Sequence, residues 1–208
     1  SAGIQRSTNG GATWTNTQNG VFNALVQKPG DPNILYATSA TRIYKSVDNG
    51  INWTQLQSAG LPTSGLRRIE LAVTPDDPNY VYALYGANNN GYLGTYRSTD
   101  NGANWTARST APNLLGWSNT GSDSGGQAWY DLAIAVNPTD KDEVAVGGVN
   151  VWQSSNGGIS WNIIGHWQGF GASFIHADIH HLGYTEDGSS LYAGCDGGIY
   201  RKDDNSSN

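Results

Sequence analysis

The sequence predicts an all-β protein, a β-propeller of four-stranded antiparallel blades with about four blades present, and three observations predict it. One short pattern, Ser-x-Asp/Asn-x-Gly-x-x-Trp, occurs four times, at Ser7–Trp14, Ser46–Trp53, Ser98–Trp105 and Ser154–Trp161. Short β-rich runs precede each copy, separated by Pro, Asp, Asn and Gly clusters that read as tight turns. No window carries a helical apolar period with caps. Self-similarity at long spacing marks a repeat architecture, and four strands per repeat is the blade of a propeller.

The pattern reads as a hairpin turn. An Asp or Asn side chain accepts bonds from backbone N–H groups a few residues on and closes the turn. Gly supplies a backbone angle that other residues resist. The Trp opens the return strand and buries a large ring beside the turn. Every element has a structural task, so the pattern is a staple of the fold and not a site.

The rest of each repeat follows in order. The first complete repeat runs Ala24–Val26, the turn Pro29–Asn33, Ile34–Ala37 and Ile43–Ser46. The second runs Ile69–Val73, Pro75–Asn79, Val81–Leu84 and Thr95–Ser98. The third runs Asp131–Val136, Pro138–Asp140, Val144–Val146 and Val151–Ser154. The fourth runs His176–Leu182, Glu186–Gly188, Leu191–Ala193 and Ile199–Arg201. One domain therefore spans 1–208, with blade repeats at roughly 1–20 (partial), 21–56, 66–108, 129–164 and 174–208. Ser1–Trp14 enters a blade at its third strand, and Lys202–Asn208 reads as a further copy of the pattern without its Trp.

The repeated pattern is the Asp-box (BNR repeat), and the chain resembles the Asp-box β-propellers over nearly its whole length. These include bacterial sialidases, the sortilin-type receptor domain and the xyloglucanase-type glycoside hydrolases. The resemblance implies the fold and is close to silent about activity. It places the box on the outer part of each blade, away from the binding centre. Because known members mostly have more blades, it also implies a fragment of a larger bacterial secreted protein. The alternative is four blades closed by pairing of the terminal strands.

Composition narrows the function classes. Only 13% of residues are charged and the net charge is −6, which argues against nucleic acid as a partner. No run is long and apolar enough to span a membrane. The chain starts at Ser1 without a leader, which reads as a processed or trimmed product of an extracellular or cell-surface protein. Cys195 is the single cysteine and reads as a buried, inert thiol. No cofactor is expected.

Strand parity locates the functional face. In a four-stranded meander, the Asp-boxes and the Asp-Pro-Asn turns share one face. The opposite face carries the long insertions Gln57–Gly65, Gly86–Gly94, Thr106–Ala128 and Gly165–Ser173. Long loops on a rigid scaffold are where binding concentrates. They hold Tyr92, Trp117, Trp167 and Phe170, with Trp129 just after the longest. Aromatic rings beside Asn, Asp, Gln and Gly suit sugars, which offer an apolar face and hydroxyl edges; packing under their own loops is the competing reading.

The first strand of each blade should line the channel. His176, Asp178 and His180 alternate and so should share one strand face. A polar network, ligand contact and a divalent metal site all remain open for them, and no metal is assigned. Asp131 occupies the place of Asp178 one blade earlier, and Arg68 the place before that, so these groups should meet near the channel mouth.

The run Asp196-Gly197-Gly198-Ile199-Tyr200-Arg201 resembles the segment carrying a catalytic Asp in xyloglucanase-type hydrolases. By that match Asp196 is the candidate carboxylate. A glycosidase needs two carboxyl groups across the scissile bond, and Asp131, Asp178 and Asp123 are the available partners. The same run also suits a plain turn. Sialidase activity needs an arginine cluster, and here most arginines sit on or beside strands feeding the boxes. The expectation is a non-catalytic glycan- or protein-binding module; the alternative is an endo-acting glycoside hydrolase using Asp196.

Overall fold

The computed structural model describes residues 3–57 and 59–203. Its described residues form strands and no helix. A first hairpin pairs β1 (Ile4–Arg6) with β2 (Thr15–Gln18). The first full sheet runs β3 (Ala24–Gln27), β4 (Leu35–Thr38), β5 (Ile43–Ser46) and β6 (Thr54–Gln55). The second runs β7 (Leu66–Val73), β8 (Val81–Ala87), β9 (Tyr92–Ser98) and β10 (Thr106–Ser109). The third runs β11 (Ala133–Asn137), β12 (Asp140–Gly147), β13 (Val151–Ser154), β14 (Asn162–His166) and β15 (Ser173–Phe174). The last runs β16 (Ile179–Tyr184), β17 (Ser190–Cys195) and β18 (Gly198–Asp203). All neighbours are antiparallel except β14 and β15, which pair in parallel. These four sheets are the four blades of a β-propeller, with strands ordered from the centre outward.

The Asp-box shows why these strands turn where they do. In the first full blade, Ser46 Oγ donates to Asp48 Oδ1 at 2.8 Å and accepts from Gly50 N at 2.9 Å. Asp48 Oδ1 also accepts from Asn52 N at 2.9 Å, and Oδ2 from Asn52 Nδ2 at 2.7 Å. The same set recurs at Ser98, Asp100, Gly102 and Asn104. The Asp thus reaches four residues on, and the Ser, which the sequence reading left without a role, secures the Gly. Asn49 and Gly50 both take positive φ, at 59° and 76°. Bonds from Asn52 and Ser46 hold the Asp48 carboxyl down to about 2.

The three boxes from Ser46 onward also join two blades each. The fourth residue of each donates its N–H inward, Asn49 to Asn33 O at 2.9 Å, Asn101 to Asn79 O at 3.0 Å and Gly157 to Asp142 O at 2.7 Å. The carbonyl of that same residue accepts a cation from the preceding sheet. Arg6 Nε reaches Asn49 O at 2.8 Å, Lys45 Nζ reaches Asn101 O at 2.8 Å and Arg108 Nε reaches Gly157 O at 2.7 Å. Boxes and first-hairpin turns therefore lie together on one face, as parity requires.

The core consists of layers between adjacent sheets. Tyr36, Ile43, Ile69, Leu71, Tyr85 and Trp105 fill the gap between the first and second blades. Leu84, Leu114, Leu132, Val146, Trp152 and Trp161 fill the next. Ala135, Val151, Ile175, Ile179 and Leu191 fill the third. Each fully buried Ile or Leu contributes roughly 1.5–3 kcal/mol, so sheet-on-sheet packing fixes the blades relative to one another. The inner strands β3, β7, β11 and β16 line a central cavity of 470 Å³.

Three expectations are corrected. Tyr92 is not a loop ring: β9 begins at it, the turn covers only Asn88–Gly91, and its hydroxyl is tied at 2.8 Å to Thr95 Oγ1 and at 3.0 Å to Ser109 O in the blade core. Cys195 is half-buried, with Sγ 3.4 Å from Gly198 O. His176, Asp178 and His180 do not share a strand face, because β16 begins only at Ile179 and Asp178 takes φ 68°, which breaks the alternation. The further box expected at the C-terminal end falls mainly on 204–208, outside the described residues.

Candidate functional site

Four chain segments meet at the cavity mouth. They are the turn Gln127–Asp131 before β11, the stretch 176–178 before β16, the Asp196-Gly197 turn between β17 and β18, and the start of β7. The first turn closes through Gln127 O, which accepts from Tyr130 N at 2.7 Å and from Asp131 N at 3.1 Å. It leaves Trp129 and Tyr130 exposed and sends Asp131 inward, where it is completely buried.

Asp196 is held by side chains from two neighbours. His180 Nε2 lies 2.7 Å from Asp196 Oδ1, and Tyr130 Oη donates to Asp196 Oδ2 at 3.1 Å. The Tyr130 and His180 rings meet edge to face at 4.8 Å. The carboxylate is thus engaged across blades and is not spent on its own turn, which was the competing reading. His180 first, then Tyr130, holds the Asp196 carboxyl below the usual range. The bond to Asp196 in turn raises the Tyr130 phenol. His176 lies directly over Gly197, and any Cβ there would run into the imidazole ring. Only Gly permits that approach.

Beneath this surface lie two further carboxyl groups, Asp131 buried and Asp178 half-buried. Asp131 carries two carboxyl oxygens without a hydrogen-bond partner. Burial first, then the Asp178 charge, pushes it up to about 8. Asp178 Oδ1 accepts from Gln127 Nε2 at 2.8 Å. Arg68 sends Nη1 to Tyr130 O at 3.1 Å and Nη2 to Glu70 Oε2 at 3.4 Å. Asp131, Asp178 and Arg68 are therefore brought together as the repeat positions require. Asp131 is corrected in one respect: it lies below the surface and cannot touch a bound ligand.

Glu70 was missed by the sequence reading. It lines the central cavity, and burial pushes it up to about 7 against the lowering effect of Arg68. Its position two residues after Arg68 on an inner strand was the available signal. Asp123 closes its own loop, accepting from Trp117 N at 2.6 Å and Ser118 N at 3.1 Å. Among the described residues no three His, Cys, Asp or Glu side chains converge as a metal-binding group.

Trp117, Trp167 and Phe170 form a second cluster built around His166, which is buried. His166 Nδ1 accepts from Gln168 N at 3.1 Å and Phe170 N at 3.2 Å, leaving Nε2 to donate to Trp117 O at 3.2 Å. Trp167 Nε1 donates to the same carbonyl at 3.2 Å. Trp117 and Phe170 are left exposed over the clasped loops.

Known proteins place this arrangement in context. A xyloglucanase from Paenibacillus sp. is 28% identical over 162 residues, covering 76% of this chain and 15% of that protein. A probable oligoxyloglucan-reducing end-specific xyloglucanase from Neosartorya fischeri is 28% identical over 206 residues, covering 92% of this chain and 24% of that protein. The chain thus spans a quarter or less of these relatives. The crystal structure of an ancestral GH74 enzyme superposes with a TM-score of 0.68 at 16% identity, over 100% of this chain and 28% of that one. That likeness confirms the propeller. Residues 2–142 match the family model for Sortilin-Vps10, described as sortilin, neurotensin receptor 3, and the chain belongs to this family.

Proposed function

We propose that this propeller segment belongs to an extracellular glycoside hydrolase acting on a polysaccharide of the xyloglucan type, with Asp196 as its ionised carboxylate. The observation that carries the reading is the exposed Asp196 held by His180 and Tyr130 at the cavity mouth. Both curated relatives are described as xyloglucanases, one of them as a probable one, which favours hydrolysis over the non-catalytic module first expected. Glycoside cleavage needs one ionised and one protonated carboxyl. Asp196 supplies the first. Glu70, held near 7 on the same cavity, is our candidate for the second. Groups whose surroundings push their titrations apart are the ones suited to opposite roles. Trp129, exposed beside Tyr130 with ring centroids 5.3 Å apart, offers a sugar ring its apolar face. Trp117, Trp167 and Phe170 extend the contact surface.

The test is release of reducing ends from xyloglucan and other β-glucans by the intact protein containing this segment. Asp196→Asn and Glu70→Gln should each lower kcat by about 10²-fold or more. No release from any polysaccharide, with xyloglucan still bound, would return the assignment to a recognition propeller.

A further inference from the structure

Trp129 and Tyr130 stand on one blade, and His176 and His180 on the next. Directly below them, Asp131 and Asp178 face each other across the joint. Asp131 is completely buried, and neither of its oxygens has a hydrogen-bond partner. Arg68 gives Nη1 to Tyr130 O and Nη2 to Glu70, and its Nε has no acceptor; its charge favours an ionised Asp131, yet it donates to neither oxygen. Asp178 is bonded to Gln127, a residue of the turn that carries Asp131. With Asp131 buried, Asp178 half-buried beside it and no hydrogen bond from Arg68 to Asp131, ionising both carboxyl groups is disfavoured by burial and by like-charge repulsion. A proton between them turns repulsion into a charge-assisted hydrogen bond and gives the orphaned oxygens a partner.

We propose that Asp131 and Asp178 share one proton, and that this carboxyl–carboxylate pair fastens the two segments bearing Trp129, Tyr130, His176 and His180. Both are positioning residues that act through the segments they join. The proposal is independent of whether Asp196 is catalytic. The charged and titratable groups around the pair are Arg68 and Glu70 from β7, Tyr130 from the Asp131 turn, and His176, His180 and Asp196 from the fourth blade. Asp131 binds its proton more tightly folded than unfolded, moving from the ordinary 3.8 to about 8. Its stabilising effect is complete below the unfolded value and is lost as pH rises through the folded one. Above that range two like charges face each other and the segments separate.

The experiment follows the side-chain carboxyl carbons of 13C-labelled aspartate by NMR from acid to alkaline pH, with thermal unfolding over the same range. One resonance should titrate above neutrality in the unsubstituted protein. Asp178→Asn should lower that midpoint by roughly one pH unit or more. The fall in Tm between about pH 4 and pH 8 should become shallower in Asp131→Asn, which keeps a donor toward Asp178. Glu70→Gln serves as the control for the other raised carboxyl and should leave the resonance in place. Titration of both aspartates in the ordinary carboxylate range would overturn the proposal. So would calcium raising the Tm of the unsubstituted protein but not of Asp131→Asn, which would make the joint a cation site.

Discussion

His180 Nε2 lies 2.7 Å from Asp196 Oδ1 and joins the innermost strand of the fourth blade to the turn between its second and third strands. This bond is the largest influence holding the Asp196 carboxyl below its ordinary value. His180→Ala should therefore move the Asp196 titration upward, toward the ordinary carboxylate range, as read from its carboxyl carbon by NMR. A depressed carboxyl stabilises the fold above its unfolded value, and this stabilisation is lost as pH falls through the folded one. The variant should be less dependent on pH over that acid window. An unmoved midpoint would show that the imidazole does not bond the carboxylate.

Tyr92 buries its hydroxyl among Thr95 Oγ1, Ser109 O and Ser109 Oγ. Tyr92→Phe leaves those groups to find other partners in a dry blade. The expected cost is about 1–3 kcal/mol, measured by urea unfolding, with little change in ligand binding. A large binding defect at unchanged stability would restore Tyr92 to the binding surface.

Asp100 shows what the box carboxylate adds. Its bonds to Asn104 and Ser98 hold it down to about 2. Asp100→Ala should cost about 1 kcal/mol, the net value of an exposed hydrogen-bonded turn. Asp100→Asn should cost less, because Asn9 and Asn156 fill this place in two other copies and still accept at Oδ1. Only the Asn variant should keep the turn while losing the acid sensitivity between about pH 4 and pH 2. Equal losses in both variants, followed by urea unfolding across pH, would contradict this division.

Trp129 is 55% exposed. Trp129→Ala should change stability by no more than roughly 0.5 kcal/mol. It should weaken xyloglucan oligosaccharide binding by about tenfold, equivalent to roughly 1.4 kcal/mol, measured by calorimetry. Unchanged affinity would remove this ring from the contact surface.

The parts legible in the sequence were those encoded locally. The box writes its Ser, Asp and Gly within a few residues, so its turn, the strands on either side and the face it occupies could all be read directly. Tyr92 was misplaced because the Gly-rich insertion around it proved to be mostly strand, which composition alone does not reveal. Asp178 was misread because strand alternation assumes an extended backbone, and its positive φ ends that assumption. Tyr130 went unnoticed because its partner lies on another blade, Asp196 being 66 positions away along the chain; Glu70 went unnoticed because its importance comes from burial on the cavity wall, which its spacing from Arg68 does not reveal. Repeat alignment did anticipate the meeting of Arg68, Asp131 and Asp178, since equivalent places in successive blades converge on the axis.

The cation received at the fourth position of three boxes ends on a backbone oxygen, whether the residue there is Asn49, Asn101 or Gly157. A main-chain acceptor is present whatever side chain evolution installs. The coupling between modules is thus written in a form that point mutation at the acceptor seldom erases, and units that drift apart in sequence can still be duplicated, deleted or reordered without redesigning the seam between them.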